Sequence, residues 1–139
     1  MKLRKDAKVE LIGDIPLFKH CSKRQLGEIA AIADELDLSE GTTLTREGKP
    51  GREFFVIVDG EADVLVDGKS VHSVATGEFL GEIALITGGP RTATVKAISP
   101  LHVLVITARD FRRLIDRSPQ IANSVLLAMA ERLTATAPA

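Results

Sequence analysis

TGEFLGEIALITGGPRT, residues Thr76 to Thr92, is the segment that breaks an otherwise strand-like middle of the chain. A short helical piece, Glu82 to Ile86, is set between glycines. Gly81 lets the backbone come close to a neighbour. Glu82 is a lone carboxylate at the start of the helical piece, and the first amides, around Ile83 and Ala84, have no intrahelical partners and point outward. Arg91 follows the Gly88-Gly89-Pro90 turn, and Thr92 adds a hydroxyl. A helix N-terminus facing an arginine is an anion site. The anion does not need the carboxylate. A ligand that also presents a hydroxyl donor, as a ribose does, explains it. The pattern therefore points to a small phosphate ester carrying a sugar hydroxyl.

Around this segment, residues 36 to 106 read as short strands cut by turns. Glu53 to Val58 places Phe54, Val56 and Val58 on one face and Phe55 and Ile57 on the other. Asp59-Gly60 ends it. Ala62, Val64 and Val66 then alternate with Glu61 and Asp63 as far as Asp67-Gly68. Asp-Gly between alternating runs is a hairpin signal. Thr94–Ile98 and Leu101–Ile106 read as a further pair joined through Ser99-Pro100. Many short strands with frequent turns imply an antiparallel sandwich or barrel.

Helical segments flank this block. In residues 1 to 35, Ser22 and Gln25 form a capping box ahead of Leu26, Ile29, Ala30 and Ala33. In residues 107 to 136, Thr107 and Asp110 form a second box, and Ser118-Pro119 is an N-cap with proline at the first helical position. Ala122, Val125, Leu126, Met129 and Leu133 form one apolar stripe there.

Composition narrows the function classes. With 139 residues the chain is long enough for one domain with its own core. The formal net charge of −1 supplies no global field for a polyanion. Cys21 is the only cysteine, which excludes a disulfide framework and a multi-cysteine metal site. We expect it to be a small buried apolar group. The 3 histidines stand apart in sequence, and His72 and His102 read as strand surface residues. No apolar run approaches the roughly 18 residues of a membrane span. Asp6, Lys8 and Glu10 interrupt any signal-peptide core after the basic start, so a cytoplasmic protein, or the cytoplasmic piece of a larger one, is expected.

FLGEIALITGGPRTATV resembles the phosphate-binding cassette of cyclic nucleotide-binding domains, shared by cAMP-dependent kinase regulatory subunits, the bacterial catabolite activator protein and cyclic-nucleotide-gated channels. Gly, Glu, Ala, Arg, a small hydroxyl residue and Ala occur at the family's spacing, and the resemblance covers nearly the whole chain. It implies a mainly-β α+β fold: an antiparallel β-roll or jelly roll (double-stranded β-helix) with the cassette at 79–93, flanked by N- and C-terminal helices in one domain. It implies that Glu82 accepts from the ribose 2′-hydroxyl, that Arg91 pairs with the cyclic phosphate, and that the Ala84 amide and Thr92 hydroxyl contact the same phosphate. Ile83 precedes that amide, and Gly81 admits the sugar. Val71, Val74, Leu80 and Val95 are the expected apolar wall. Arg132, with Thr136 second, is the expected lid. Threonine directly after the cassette arginine is common in the family's cGMP-selective sites, yet bacterial members that prefer cAMP carry it too. The ligand expected is cAMP ahead of cGMP, with no other cofactor.

Three functions compete on these residues. A non-catalytic sensor passing ligand binding to its last helix fits the lack of a nucleophile–base pair. A sensor piece of a larger regulator, channel or enzyme fits equally, with an effector domain or a second copy as the helix's partner. A cupin-like enzyme would need clustered histidine or carboxylate metal ligands. DNA binding by this chain alone is not expected, because the 6 residues after Leu133 hold no recognition helix. No membrane contact by this chain alone is expected either.

Overall fold

The computed structural model describes residues 2–81 and 84–136, apart from the side chains of 84 and 132–136. In chain order its elements are α1 (Lys5–Gly13), a 3-10 turn (Pro16–Phe18), α2 (Lys23–Ala31), β1 (Asp34–Leu38), β2 (Thr43–Thr45), β3 (Glu53–Asp59), β4 (Glu61–Val66), β5 (Lys69–Ala75), β6 (Phe79–Leu80), α3 (Ala84–Thr87), β7 (Thr94–Ala97), β8 (Leu101–Thr107), α4 (Ala108–Arg117) and α5 (Pro119–Thr136). They group into two compact units, Ala33–Arg109 and Met1–Ile32 with Asp110–Ala139.

The first unit is the β-roll. Two antiparallel four-stranded sheets have strand orders β1-β8-β3-β6 and β2-β7-β4-β5. Alternation along each strand sends Phe55, Ile57, Val103 and Val105 from one sheet to meet Ala62, Val64, Val95 and Ala97 from the other. Phe54, Val56, Leu104 and Ile106, the alternate residues of the central strands, are buried as well. That explains why β3 and β8 read as unbroken apolar runs.

The turn chemistry is correct, but the pairing it suggests holds only in part. Asp67-Gly68 does close a hairpin between β4 and β5. Asp59-Gly60 and Ser99-Pro100 do not close hairpins. Each sends the chain from one sheet to the other, because β3 pairs with β8 and β4 with β7. The two corners bond each other. Glu61 N donates to Ser99 Oγ at 3.0 Å, and Ile98 N donates to the Glu61 carbonyl at 3.0 Å. Gly60, at φ +110°, leaves no room for a Cβ against the Pro100 carbonyl. A two-residue signal fixes a reversal of direction; close packing against the second corner turns that reversal into a crossover.

In the helical unit the Ser22–Gln25 capping box forms as expected, with Gln25 N on Ser22 Oγ at 3.2 Å and Ser22 N on Gln25 Oε1 at 2.9 Å. The core includes Ile12, Phe18, Ile29, Phe111, Leu114 and Ile121, with the rings of Phe18 and Phe111 6.0 Å apart. On α5 the buried stripe is Ile121, Val125 and Ala128. Leu126, expected on that stripe, is 66% exposed, since one residue past Val125 turns about 100° away from the core. Glu131 takes Lys19 Nζ at 2.6 Å and His20 Nε2 at 2.8 Å, so side chains following the 3-10 turn tie down α5 near its end. Leu133 falls among side chains outside the described residues. Cys21 is half-buried, and burial pushes its thiol up to about 11. No helix among the described residues is long and apolar enough to cross a membrane.

His102 is not the plain surface residue expected. On β8 opposite Asp37, it brings Nδ1 to 2.7 Å from Asp37 Oδ1 and Nε2 to 2.7 Å from Glu35 Oε2. Both ring nitrogens can donate at once only as imidazolium. The Asp37 bond chiefly, with Glu35 adding to it, raises its pKa against partial desolvation. A raised folded pKa means that the clamp stabilises fully below the unfolded histidine value of about 6.5, and that the gain is lost as pH rises through the folded pKa. Thermal melting as a function of pH should therefore show a fall in Tm over that upper window that His102→Gln lacks. Identical profiles for parent and variant would contradict the clamp.

Candidate functional site

The stretch before β7 is held from two sides. From β2, Thr45 Oγ1 donates to the Ala93 carbonyl at 3.0 Å, and just beyond that strand Glu47 N donates to Thr94 Oγ1 at 3.0 Å. The loop after β2 then runs alongside Gly89–Arg91. Gly48 N donates to the Arg91 carbonyl at 2.9 Å, Arg91 N to the Lys49 carbonyl at 2.8 Å, and Gly51 N to the Gly89 carbonyl at 2.9 Å. Every polar group of the Arg91 backbone is thereby satisfied, which fixes where its side chain starts.

The side chain is fixed as well. Arg91 Nη2 donates to the Glu53 carbonyl at 2.6 Å, a charge-assisted bond to the first residue of β3. The Arg91 guanidinium also lies where a side chain on Gly81 would be. A Cβ built there would collide with Arg91 Nη1 and crowd the Glu53 carbonyl at 3.0 Å. Gly81 itself holds φ +83°, a conformation that disfavours any L side chain. Close approach is thus Gly81's role, as its sequence context implied, and the partner is the arginine. Burial pulls the Arg91 pKa down, and the Glu53 charge pushes it back up. The guanidinium remains a cation with one hydrogen bond committed, and no carboxylate lies within ion-pair distance of it among the described residues.

Arg91 opens onto a cavity of about 190 Å³. Of the residues expected at the site, Gly81, Arg91, Thr92, Leu80, Val74 and Val95 line it together. Ala84 begins α3, but its side chain, like that of Arg132 on α5, lies outside the described residues, as do Glu82 and Ile83 altogether. The side chain of Thr136 is outside them too.

Val71 is a correction. It is 55% exposed and does not line the cavity. Val64 pairs with His72 but Leu65 pairs with Ser70, so Val71 is the extra residue of a β-bulge. His72, itself exposed, lines the cavity where Val71 was expected to. His72 and Val74 are two residues apart and share a face, whereas Val71 and Val74 cannot on a pleated strand. Spacing alone could have found this.

Sequence reasoning also missed Thr45 and Phe79 in the lining, and the role of the Glu53 carbonyl. Backbone acceptors leave no residue-type signal. The segment Gly48-Lys49-Pro50-Gly51, which braces Arg91, was missed as well. Among the described residues no group of three His, Cys, Asp or Glu side chains could hold a metal ion.

Residues 35–118 match the model of the cyclic nucleotide-binding domain. The chain is 34% identical over 123 residues to a cyclic nucleotide-gated potassium channel of Rhizobium etli, covering 88% of this chain and 34% of the channel. It is 32% identical over 108 residues to a cAMP-dependent protein kinase regulatory subunit of Colletotrichum orbiculare, covering 76% of this chain and 28% of the subunit. The crystal structure of the N-terminal domain of a transcriptional regulator from Streptomyces coelicolor A3(2) superposes with a TM-score of 0.83 at 31% identity, covering 91% of this chain and 94% of that one. The chain spans about a third of the length of the potassium channel relatives it matches and 28% or less of the kinase ones.

The fit of Gly81 against Arg91 has a measurable consequence. Gly81→Ala adds a side chain at positive φ into occupied space and should cost about 1–3 kcal/mol. Urea unfolding should report a lower midpoint with an unchanged slope. A midpoint equal to the parent's would contradict the close contact.

Proposed function

Because this chain belongs to the cyclic nucleotide-binding domain family, we propose that the cavity beside Arg91 takes a cyclic purine nucleotide, cAMP ahead of cGMP, with its phosphate on the guanidinium. The observation that carries this reading is the half-buried Arg91: its backbone is braced, its side chain is aimed by the Glu53 carbonyl, and it lines the cavity without a carboxylate partner among the described residues. A fixed cation of this kind matches a ligand with one formal charge. Thr92 adds a hydroxyl beside it, and Val74, Leu80 and Val95 supply apolar wall for the sugar and base. On the family pattern, Glu82 accepts from the ribose 2′-hydroxyl, and the backbone at Ile83 and Ala84 meets the phosphate.

The proposed role is sensing without catalysis, in a cytoplasmic setting. Ligand shifts the population of two arrangements of the C-terminal helix, by no more than its differential affinity for them. Leu126 and Leu127, 66% and 50% exposed on α5, support an effector segment or a second copy of the chain as that helix's partner. Arg132 is the proposed lid.

Two experiments test the reading. Arg91→Ala should weaken cAMP and 2′-deoxy-cAMP alike by tens- to thousands-fold, on the order of 2–5 kcal/mol for a desolvated charge pair. It should also lower Tm somewhat, because the Glu53 carbonyl loses its donor. Glu82→Ala should instead abolish the preference for a free 2′-hydroxyl and leave Tm unchanged. Calorimetric titrations of each variant check both, and parent-like cAMP affinity in Arg91→Ala would refute the phosphate assignment. Separately, hydrogen exchange across residues 119–136 should slow when cAMP is added. Protection that rises around residues 79–93 but not in that helix would refute the coupling.

A further inference from the structure

A groove of about 610 Å³ runs between α1 and α2 in the helical unit, and Lys5, Lys23 and Arg24 line it together. On α2, Lys23 and Arg24 stand four and three residues before Gly27, so these positions share one face. Lys5 reaches that face from α1. A Cβ built on Gly27 would lie 3.6 Å from Lys5 Cε and 3.9 Å from its Nζ. The bare backbone at Gly27 is thus the surface on which the Lys5 side chain lies, and it carries the ammonium onto the face that holds the other two cations.

None of the three side chains has an ion pair or a hydrogen-bonded partner among the described residues. Two carboxylates, Asp6 and Glu28, share the groove. Glu28 stands four residues after Arg24, the spacing of an intrahelical ion pair. Its Oε1 instead accepts from Ser118 Oγ at 3.2 Å, just ahead of α5. Asp6 makes no ion pair among the described residues either. Like charges gathered on one face without a paired counter-charge are destabilising. The first turn of α2 holds no acidic residue, so Lys23 and Arg24 also oppose the dipole of their helix. Local stability does not account for these cations; a bound polyanion does.

We infer that this groove is a second anion site, separate from the Arg91 cavity, and that it takes clustered phosphates, a compound bearing two or more phosphate groups close together. Cations from two helices can meet several phosphates at once, whereas Arg91 alone meets one. Arg24 offers a planar fork of donors, and the two lysines act as point charges that follow the neighbouring oxygens. Val9, Gly27 and Ala31 keep the rest of the lining small, and the volume lies within the roughly 300–1,000 Å³ of small-molecule sites. A free polyphosphate and a lipid headgroup with several phosphates present the same chemistry. The inference does not depend on the cyclic nucleotide reading.

Calorimetry with inorganic tripolyphosphate tests this, at about 0.15 M salt, where well-separated surface charges are screened. The parent should bind tripolyphosphate, and should bind orthophosphate at least about tenfold more weakly. Lys23→Gln/Arg24→Gln should weaken tripolyphosphate by about tenfold or more while melting no lower than the parent. Arg112→Gln/Arg113→Gln removes the same charge from exposed residues of α4 that also lack an ion pair among the described residues, and it should bind as the parent does. Arg91→Ala should bind as the parent does too. Co-sedimentation with phosphatidylcholine vesicles carrying phosphatidylinositol bisphosphate separates the two sources. Capture that Lys23→Gln/Arg24→Gln loses assigns the headgroup; tripolyphosphate binding without capture assigns a free polyphosphate. A parent that binds neither probe overturns the site, as does parent-like binding by Lys23→Gln/Arg24→Gln. An equal loss in the α4 variant would make the attraction general to the basic surface, and a loss in Arg91→Ala would put the phosphates in the other cavity; either result overturns it as well.

Discussion

The bond from Arg91 Nη2 to the Glu53 carbonyl organises the site. It takes a flexible cationic side chain and gives it one position, so that the entropy of ordering it is lost on folding rather than on binding. It also joins the two sheets chemically. Glu53 begins β3 in one sheet, and Arg91 leads into β7 in the other. The space for it exists only because residue 81 has no Cβ. Glycine at 81, arginine at 91 and the backbone of residue 53 are thus one unit, and none of the three has its full meaning alone.

That unit depends in turn on the crossovers. Had Asp59-Gly60 closed a hairpin, β3 and β4 would lie side by side in one sheet. The cavity walls would then not face each other. The corners at Gly60 and Ser99-Pro100 bond to each other and hold the sheets apart as two layers. The cavity lies between these layers, lined from one sheet by Phe79 and Leu80 and from the other by Val64, Val74 and Val95. At about 190 Å³ it is smaller than the few hundred Å³ usual for a small-molecule site, in keeping with a ligand only partly enclosed by this wall.

Much of this was legible in the sequence. Alternation in β3, β4 and β8 gave the strands, and the cassette residues gave the position of the site. Gly81, Leu80, Arg91, Thr92, Val74 and Val95 do come together. The failures have physical causes. Local turn chemistry does not encode which sheet a strand joins, because that depends on packing against a segment about 40 residues away. Val71 stands three residues from Val74 and cannot share its face of the strand, so His72 lines the cavity in its stead. His102 was read by type as a surface residue, yet partners from a neighbouring strand, Glu35 and Asp37, make it part of the fold. Backbone acceptors such as the Glu53 carbonyl are invisible in any residue code.

The central claim is that Arg91 and its cavity are built for one singly charged cyclic phosphate. Among the described residues no second arginine or lysine lines the cavity to meet a linear phosphate's extra charge. Calorimetric titration of the unmodified protein with cAMP and with linear 5′-AMP tests this most directly. The account predicts that cAMP binds at least about tenfold more tightly, a difference of about 1.4 kcal/mol or more. Equal affinity for the two would contradict it.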